Sequence, residues 1–339
     1  MDSSAVDYQL PPERIAQTPV EPRDAARLLI DEGAGVAPRH GHIPDLAELV
    51  GRGDVLVVNT TRVLAARLLA QKTTGGAVEV LLLEPLADVG PHRWEALVRP
   101  SRKVPAGTGL RVAPELSLVV GGDLGEGRRV VDVVIPAGAE LLDVLGRHGR
   151  VPLPPYITEA LADPERYQTT YADEPGSVAA PTAGLHLTPA LLDRIRATGA
   201  EVATVDLVVG LGTFRPIATE RVEEHHMHAE RYRVPEATME ACAAADRVVA
   251  IGTTTVRALE SAAATGALAG RTDLFIHGDH EFRVVGGLMT NFHQPRSSLL
   301  VLVDAFIGPR WRALYEEALA SGYRFLSFGD AMFLRGERG

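Results

Sequence analysis

Asp246-Arg247-Val248-Val249-Ala250-Ile251-Gly252-Thr253-Thr254-Thr255-Val256-Arg257 decides the fold. The unbroken apolar run Val248–Ile251 reads as a strand buried on both faces. Gly252 permits a turn, and three threonines and Arg257 lead into a helix. The pattern recurs on either side. Asp54-Val55-Leu56-Val57-Val58 ends in Asn59-Thr60-Thr61-Arg62, and Glu201 to Val209 ends in Gly210-Leu211-Gly212-Thr213-Phe214-Arg215-Pro216. Leu288-Met289-Thr290-Asn291-Phe292-His293 ends in polar groups ahead of an apolar helix, Leu299–Phe306. Strands that lead into helices in this way predict an α/β domain with a mainly parallel sheet and one ligand crevice at the polar strand ends. No Gly-Lys-Ser/Thr follows the turn, which excludes a phosphate loop of the Walker kind. The Gly-x-Gly-x-x-Gly of a dinucleotide-binding first strand is also missing.

Between Arg62 and Arg150 the texture changes. Ala66–Ala70, Ala77–Glu84, Trp94–Arg99, Leu110–Val112, Leu116–Val120 and Arg128–Ile135 are short runs separated by turn residues, and several alternate apolar with polar. Such spacing predicts an inserted antiparallel β-barrel or sandwich at 62–150, with 1–61 and 151–339 forming the α/β catalytic domain. Lys72, Arg99, Arg102, Lys103, Arg128 and Arg129 make the insertion locally basic, which a solvated β-surface explains as well as an anionic partner does. Elsewhere, Arg23–Ile30, Asp273–Ile276 and Phe325–Met332 read as strands, and Leu46–Val50 as a short helix. Gly149–Ile157 reads as a Pro-rich extended linker.

The chain has 339 residues and a net charge of −10, which argues against nonspecific nucleic-acid binding by the molecule as a whole. A single cysteine, Cys242, excludes a disulfide framework and a Cys-rich zinc site. There is no apolar run of membrane-spanning length and the first residues are polar, so no span or secretion signal is expected and the protein is placed in the cytoplasm.

The densest chemistry lies in Gly176-Ser177-Val178-Ala179-Ala180-Pro181-Thr182-Ala183-Gly184-Leu185-His186, which runs into Thr188-Pro189, an N-cap and first helical residue. Small side chains let a ligand approach the backbone, with His186 at the end of the loop; a tight packed turn with a structural His is the plainer reading. Arg166-Tyr167-Gln168-Thr169-Thr170-Tyr171 pairs aromatics with Arg, as stacking on a base requires, though Tyr167 reads equally as a core aromatic. Glu223-Glu224-His225-His226-Met227-His228-Ala229-Glu230 admits three readings: a metal site, an acid/base or substrate-binding segment, or a solvated charged stretch. One strand face rarely closes a metal shell alone, and no Cys assists.

Together these motifs resemble the S-adenosylmethionine:tRNA ribosyltransferase-isomerase family of queuosine biosynthesis. The resemblance runs from Tyr8 to about Met332 and is most specific at Gly176–His186. Tyr167-Gln168-Thr169, Gly210–Phe214, His225–Glu230, Gly252–Arg257, Thr290–His293 and Ser327-x-Gly329-Asp330-Ala331-Met332 support it. The resemblance implies an α/β domain interrupted by a Greek-key barrel. It implies transfer and isomerisation of the ribosyl part of S-adenosylmethionine to 7-aminomethyl-7-deazaguanine at the tRNA wobble position, with no metal. A monomer acting on a tRNA anticodon loop is expected. A paralogue that uses the same donor on a free deazapurine or small amine is the alternative, and a non-catalytic tRNA-binding module is a third reading, weakened by the acidic balance.

The family's reaction needs a base near working pH, a proton donor for adenine, a carboxylate-binding turn and an aromatic face for the sulfonium. By type, His186, His228 and His293 fit the base, and Asp330 or a His the donor. Arg257 with the Gly252, Thr253 and Thr254 turn fits the carboxylate, and Tyr167 or Phe214 the sulfonium. Asn59, Arg62, Gln168, Thr182, Gly184, Gly212, Thr213, Glu230 and Asn291 are the further substrate-binding positions. Arg99, Arg102, Lys103 and Arg296 are expected to hold tRNA phosphates. The chain departs from the family's usual residues at Thr60, Val208, His277–His280 and Gln294–Ser298.

Overall fold

The computed structural model describes residues 1–86, 90, 92–210 and 216–336. Its strands are β1 (Arg27–Ile30), β2 (Arg39–His42), β3 (Asp54–Asn59), β4 (Thr61–Val63), β5 (Arg67–Lys72), β6 (Ala77–Pro85), β7 (Arg93–Arg99), β8 (Gly109–Ala113), β9 (Leu116–Gly125), β10 (Arg128–Val134), β11 (Glu174–Ser177), β12 (Glu201–Leu207), β13 (Glu230–Arg233), β14 (Arg247–Ile251), β15 (Ala269–Thr272), β16 (Gly287–Asn291) and β17 (Ala331–Arg335). The helices are α1 (Leu46–Leu49), α2 (Leu141–His148), α3 (Pro189–Ala197), α4 (Glu236–Ala244), α5 (Thr253–Thr265), α6 (Ser298–Ile307) and α7 (Trp311–Ala320).

The chain divides into two units: Met1–Arg62 with Pro154–Glu174 and Ala180–Gly339, and Val63–Leu153 with Pro175–Ala179. The short stretch Pro175–Ala179, which the sequence reading puts in the α/β domain, therefore clusters with the insertion. In that second unit a closed six-stranded barrel runs β10-β7-β6-β5-β8-β9. Every pairing in it is antiparallel. Its strands alternate as a barrel wall must: Leu68 and Ala70, Trp94, Ala96 and Val98, and Leu116, Leu118 and Val120 are buried while their neighbours are less so.

The first unit holds a nine-stranded sheet in the order β15-β13-β12-β3-β14-β16-β17-β1-β2. β3 pairs in parallel with both β12 and β14, and β14 with β16. These inner strands carry the continuous apolar runs because both faces are covered. Leu56 and Val58 join a cluster with Leu187, Leu191 and Ile195, while Val55 and Val57 are equally buried from the opposite face. The sheet is mixed, which corrects the mainly parallel expectation. β13 is antiparallel to β12 and to β15, β17 to β16, and β2 to β1. The burial of Glu230-Arg231-Tyr232-Arg233 alternates residue by residue, the mark of an antiparallel strand with one solvated face.

Three expected strands differ. Arg23–Ala25 forms a helical turn and β1 starts at Arg27. Asp273–Ile276 follows β15 without pairing, and the Leu274 carbonyl accepts from Arg257 at 3.1 Å instead of a ladder partner. Phe325–Asp330 is a tight turn ahead of β17, closed by Gly329 N donating to Leu326 O at 2.9 Å, with Leu326 left-handed at φ 68°. Thr188 caps α3, its hydroxyl accepting from Leu191 N at 3.2 Å, with Pro189 in the first helical position.

Helix α5 is buried along Thr253–Ala262 although it carries Arg257, Glu260 and Ser261. Each polar group there is matched. Arg257 pairs with Glu230, Glu260 accepts the backbone N–H groups of Arg283, Val284 and Val285, and Ser261 meets Thr272 Oγ1 at 2.6 Å. Buried charge survives only with such partners.

Candidate active site

The C-terminal ends of β14 and β16 and the start of α5 converge on Ala180–Ala183. Together they line a cleft of about 360 Å³ with Val209, Thr290, Asn291, His293 and Leu299. It adjoins a second space of about 340 Å³ bounded by Tyr156, Gln294, Leu326 and Ser327, and the two share Thr182, Asn291, His293 and Leu299. This is the crevice position of an open sheet, outside the carboxyl ends of its parallel strands.

Gly252 turns the chain from β14 into α5 at φ 85°, a conformation that favours glycine. No side chain caps the helix. The first-turn amides of α5, with Thr253 and Thr254 on the cleft wall, therefore form an electropositive helix end. Asn59 supports this turn from below. Its Nδ2 donates to Thr254 Oγ1 at 3.3 Å and to Leu207 O at 3.0 Å, while its Oδ1 accepts from Leu207 N and Thr61 N, each at 3.1 Å. Across the cleft, Thr182 Oγ1 donates to Asn291 Oδ1 at 2.9 Å. His293 Nε2 lies 2.9 Å from Thr290 Oγ1, and burial pushes the ring's pKa down to about 3, so the imidazole is neutral.

The remaining candidates sit elsewhere. His186 is a brace: its ring lies between Ala183 O at 3.1 Å and Gly329 O at 2.8 Å, and burial lowers its pKa. It borders another space of about 230 Å³ beside Arg23 and Arg166, which meets the second cleft space at Ser327. Asp330 is buried and both its oxygens accept backbone N–H groups, from Arg27 at 2.9 Å and Arg324 at 2.8 Å. Both oxygens are thus engaged by backbone donors that hold the turn ahead of β17. His228 is exposed, and only Glu230 of its segment lies in a strand, so the single strand face on which a metal reading would place His226, His228 and Glu230 does not form. Glu230 Oε2 pairs with Arg257, and its Oε1 accepts from Gly210 N at 2.7 Å. Arg257 is thereby turned away from the cleft to Glu230, Leu274 O and Thr272 O.

Tyr167 is fully buried, packed edge-on against Phe328 with ring centroids 5.8 Å apart, which is the core reading. Gln168 is buried and its carbonyl accepts from Arg23 at 2.7 Å, while Arg62 bonds Glu165 at 2.8 Å. Gly184 is required by close approach, since a Cβ there would lie 2.1 Å from the Tyr171 hydroxyl. Gly212, Thr213 and Phe214 lie outside the described residues. Arg99, Arg102 and Lys103 are exposed on the barrel unit. Arg296 donates to Ser3 Oγ at 2.9 Å, and its backbone is held at φ 54°. Among the described residues no group of three or more His, Cys, Asp or Glu is arranged to hold a metal ion. None of the described helices is long and apolar enough to cross a membrane.

Sequence reasoning passed over Tyr156, whose hydroxyl is 2.7 Å from Ser327 Oγ at the far end of the cleft. Its Pro-Pro-Tyr setting reads as a linker. Ser327 stood in the last motif without a role, and Leu326 had no signal at all.

The family described as "Queuosine biosynthesis protein" matches residues 3–334. The S-adenosylmethionine:tRNA ribosyltransferase-isomerase of Anaeromyxobacter sp. is 51% identical over 344 residues, spanning 98% of this chain and 99% of the relative. That of Rubrobacter xylanophilus is 48% identical over 337 residues, spanning 99% and 98%. The crystal structure of the S-adenosylmethionine tRNA ribosyltransferase from Thermotoga maritima superposes with a TM-score of 0.55 at 36% identity, spanning 97% of this chain and 99% of that one. On this agreement along its whole length, and with a crevice at the sheet ends where its motifs meet, the chain belongs to the queuosine biosynthesis protein family.

Proposed function

We propose that the protein transfers and isomerises the ribosyl moiety of S-adenosylmethionine to the aminomethyl group of 7-aminomethyl-7-deazaguanine in the tRNA wobble position, releasing adenine and methionine. The observation that carries this reading is the cleft itself. An uncapped helix N-terminus at one wall faces a neutral imidazole and a Thr–Asn pair at the other. The methionine carboxylate is assigned to the α5 amides at Gly252–Thr254, since Arg257 is committed to Glu230. His293 is assigned the proton removed beside the sulfonium on its place alone: it is the one of the three candidate histidines that lines the cleft, and its depressed pKa makes it a weaker base than an ordinary histidine. Thr182 and Asn291 orient the ribose between them, and Asn59 holds Thr254 in place.

The tRNA phosphates are assigned to Arg99, Arg102 and Lys103, which are exposed, rather than to Arg296, which is tied to Ser3. We read the barrel order β8-β5-β6-β7 as a Greek key, three consecutive strands with the fourth beside the first. The protein is taken to act as a monomer in the cytoplasm without a metal. A free deazapurine acceptor is not favoured, because relatives this similar over nearly their full length are named for tRNA.

The test offers labelled S-adenosylmethionine with tRNA carrying 7-aminomethyl-7-deazaguanine or with the free base, in EDTA. Label is expected in the tRNA alone. Label in the free base alone, or a requirement for added metal, contradicts the reading.

A further inference from the structure

We infer that Tyr8 and Tyr315 are positioning residues for His293, clamping its peptide groups from two sides. The inference rests on the assignment of His293 to the reacting cleft. Strand β16 ends at Asn291, so the backbone of His293 has no ladder partner, yet the residue is buried. Buried peptide groups must be paired. Two phenols supply the partners: His293 N donates to Tyr315 Oη at 2.9 Å, and Tyr8 Oη donates to His293 O at 2.5 Å.

The clamp is built from distant parts of the chain. Tyr315 lies on α7 and is buried, and Tyr8 lies in the N-terminal arm, the irregular stretch between the short helical turns Ser3–Val6 and Pro12–Arg14. The two rings meet edge to face, with centroids 5.1 Å apart. Phe292, the neighbour of His293, packs against Tyr315 at 5.3 Å. With both peptide groups held, the direction in which the His293 side chain leaves the backbone is fixed. Its Nε2 then sits 2.9 Å from Thr290 Oγ1 at the cleft wall. The N-terminal arm, remote in sequence from every cleft residue, is thereby part of the reacting apparatus. Placement of a reacting group to a fraction of an ångström is worth large factors in rate.

Tyr→Phe keeps the ring packing and removes only the bond to His293. Tyr315→Phe and Tyr8→Phe are each expected to lower kcat by about 10- to 100-fold while KM for S-adenosylmethionine stays within about twofold. The decisive step repeats each substitution in a His293→Gln background. A residue that acts through His293 adds less than about twofold there. Losses that multiply in the double variants, or a raised KM at unchanged kcat, overturn the inference. Unchanged kcat in both single Phe variants with an inactive His293→Gln also overturns it and leaves the cleft assignment standing. Full activity of His293→Gln removes the assignment itself, and the inference with it. If Tyr315→Phe does not fold, Tyr8→Phe, on the less buried arm, carries the same comparison.

Discussion

Single side chains in this protein divide into those that shape the backbone and those that face the cleft. Gly184 belongs to the first kind. A methyl group there meets the Tyr171 hydroxyl, so Gly184→Ala is expected to cost about 1–3 kcal/mol, read as a lower urea midpoint at unchanged m-value. His293 belongs to the second kind. Burial depresses its pKa from 6.5 to about 3, so from about pH 6.5 down to pH 3 the unfolded chain binds a proton that the native state refuses. The folded state therefore loses stability as pH falls through that window, by up to about 1.4 kcal/mol per pH unit. His293→Gln abolishes this term, and its stability is expected to fall less steeply than the wild type's between pH 6.5 and pH 4; parallel curves would show a solvated ring. Residue type and motif were enough to single out Thr182, Asn291 and His293, because small and polar residues stand out after an apolar strand. They were not enough to separate His293 from His186 and His228. That distinction depends on what surrounds each ring: the carbonyls of Ala183 and Gly329 brace His186, while His228 is exposed.

At the scale of elements, α5 joins a binding end to a load of buried charge. Its N-terminus opens on the cleft, and one turn later Arg257 is locked to Glu230, whose other oxygen holds Gly210 N. Glu230→Gln leaves the Arg257 charge buried and is expected to cost about 3–5 kcal/mol, visible as a large fall in melting temperature. A fall no greater than that of a surface substitution would mean that water reaches Arg257. The inner strands β3, β12, β14 and β16 and the barrel strands were readable from apolar runs and alternation. The direction of β17 was not, because Phe325–Phe328 is as apolar as a strand. The turn shows itself in the Gly329 N to Leu326 O bond, the left-handed Leu326 and the bonds of Asp330 to Arg27 N and Arg324 N.

Across the whole molecule the balance of charge is −10, so contact with a polyanion has to be local. Replacing Arg99, Arg102 and Lys103 together with Ala is expected to raise KM for tRNA and to flatten the slope of log affinity against log salt by about 2, with S-adenosylmethionine binding unaffected. An unchanged slope would move the phosphate contacts off the barrel. The claim on which everything else depends is that S-adenosylmethionine occupies the cleft at the ends of β14 and β16. Amide hydrogen exchange with and without S-adenosylmethionine tests it most directly. Protection is expected at Ala180–Ala183, at Gly252–Thr254 and at Thr290–His293. Protection confined to Arg23, Arg166 and Leu185–His186, around the space behind His186, would contradict it.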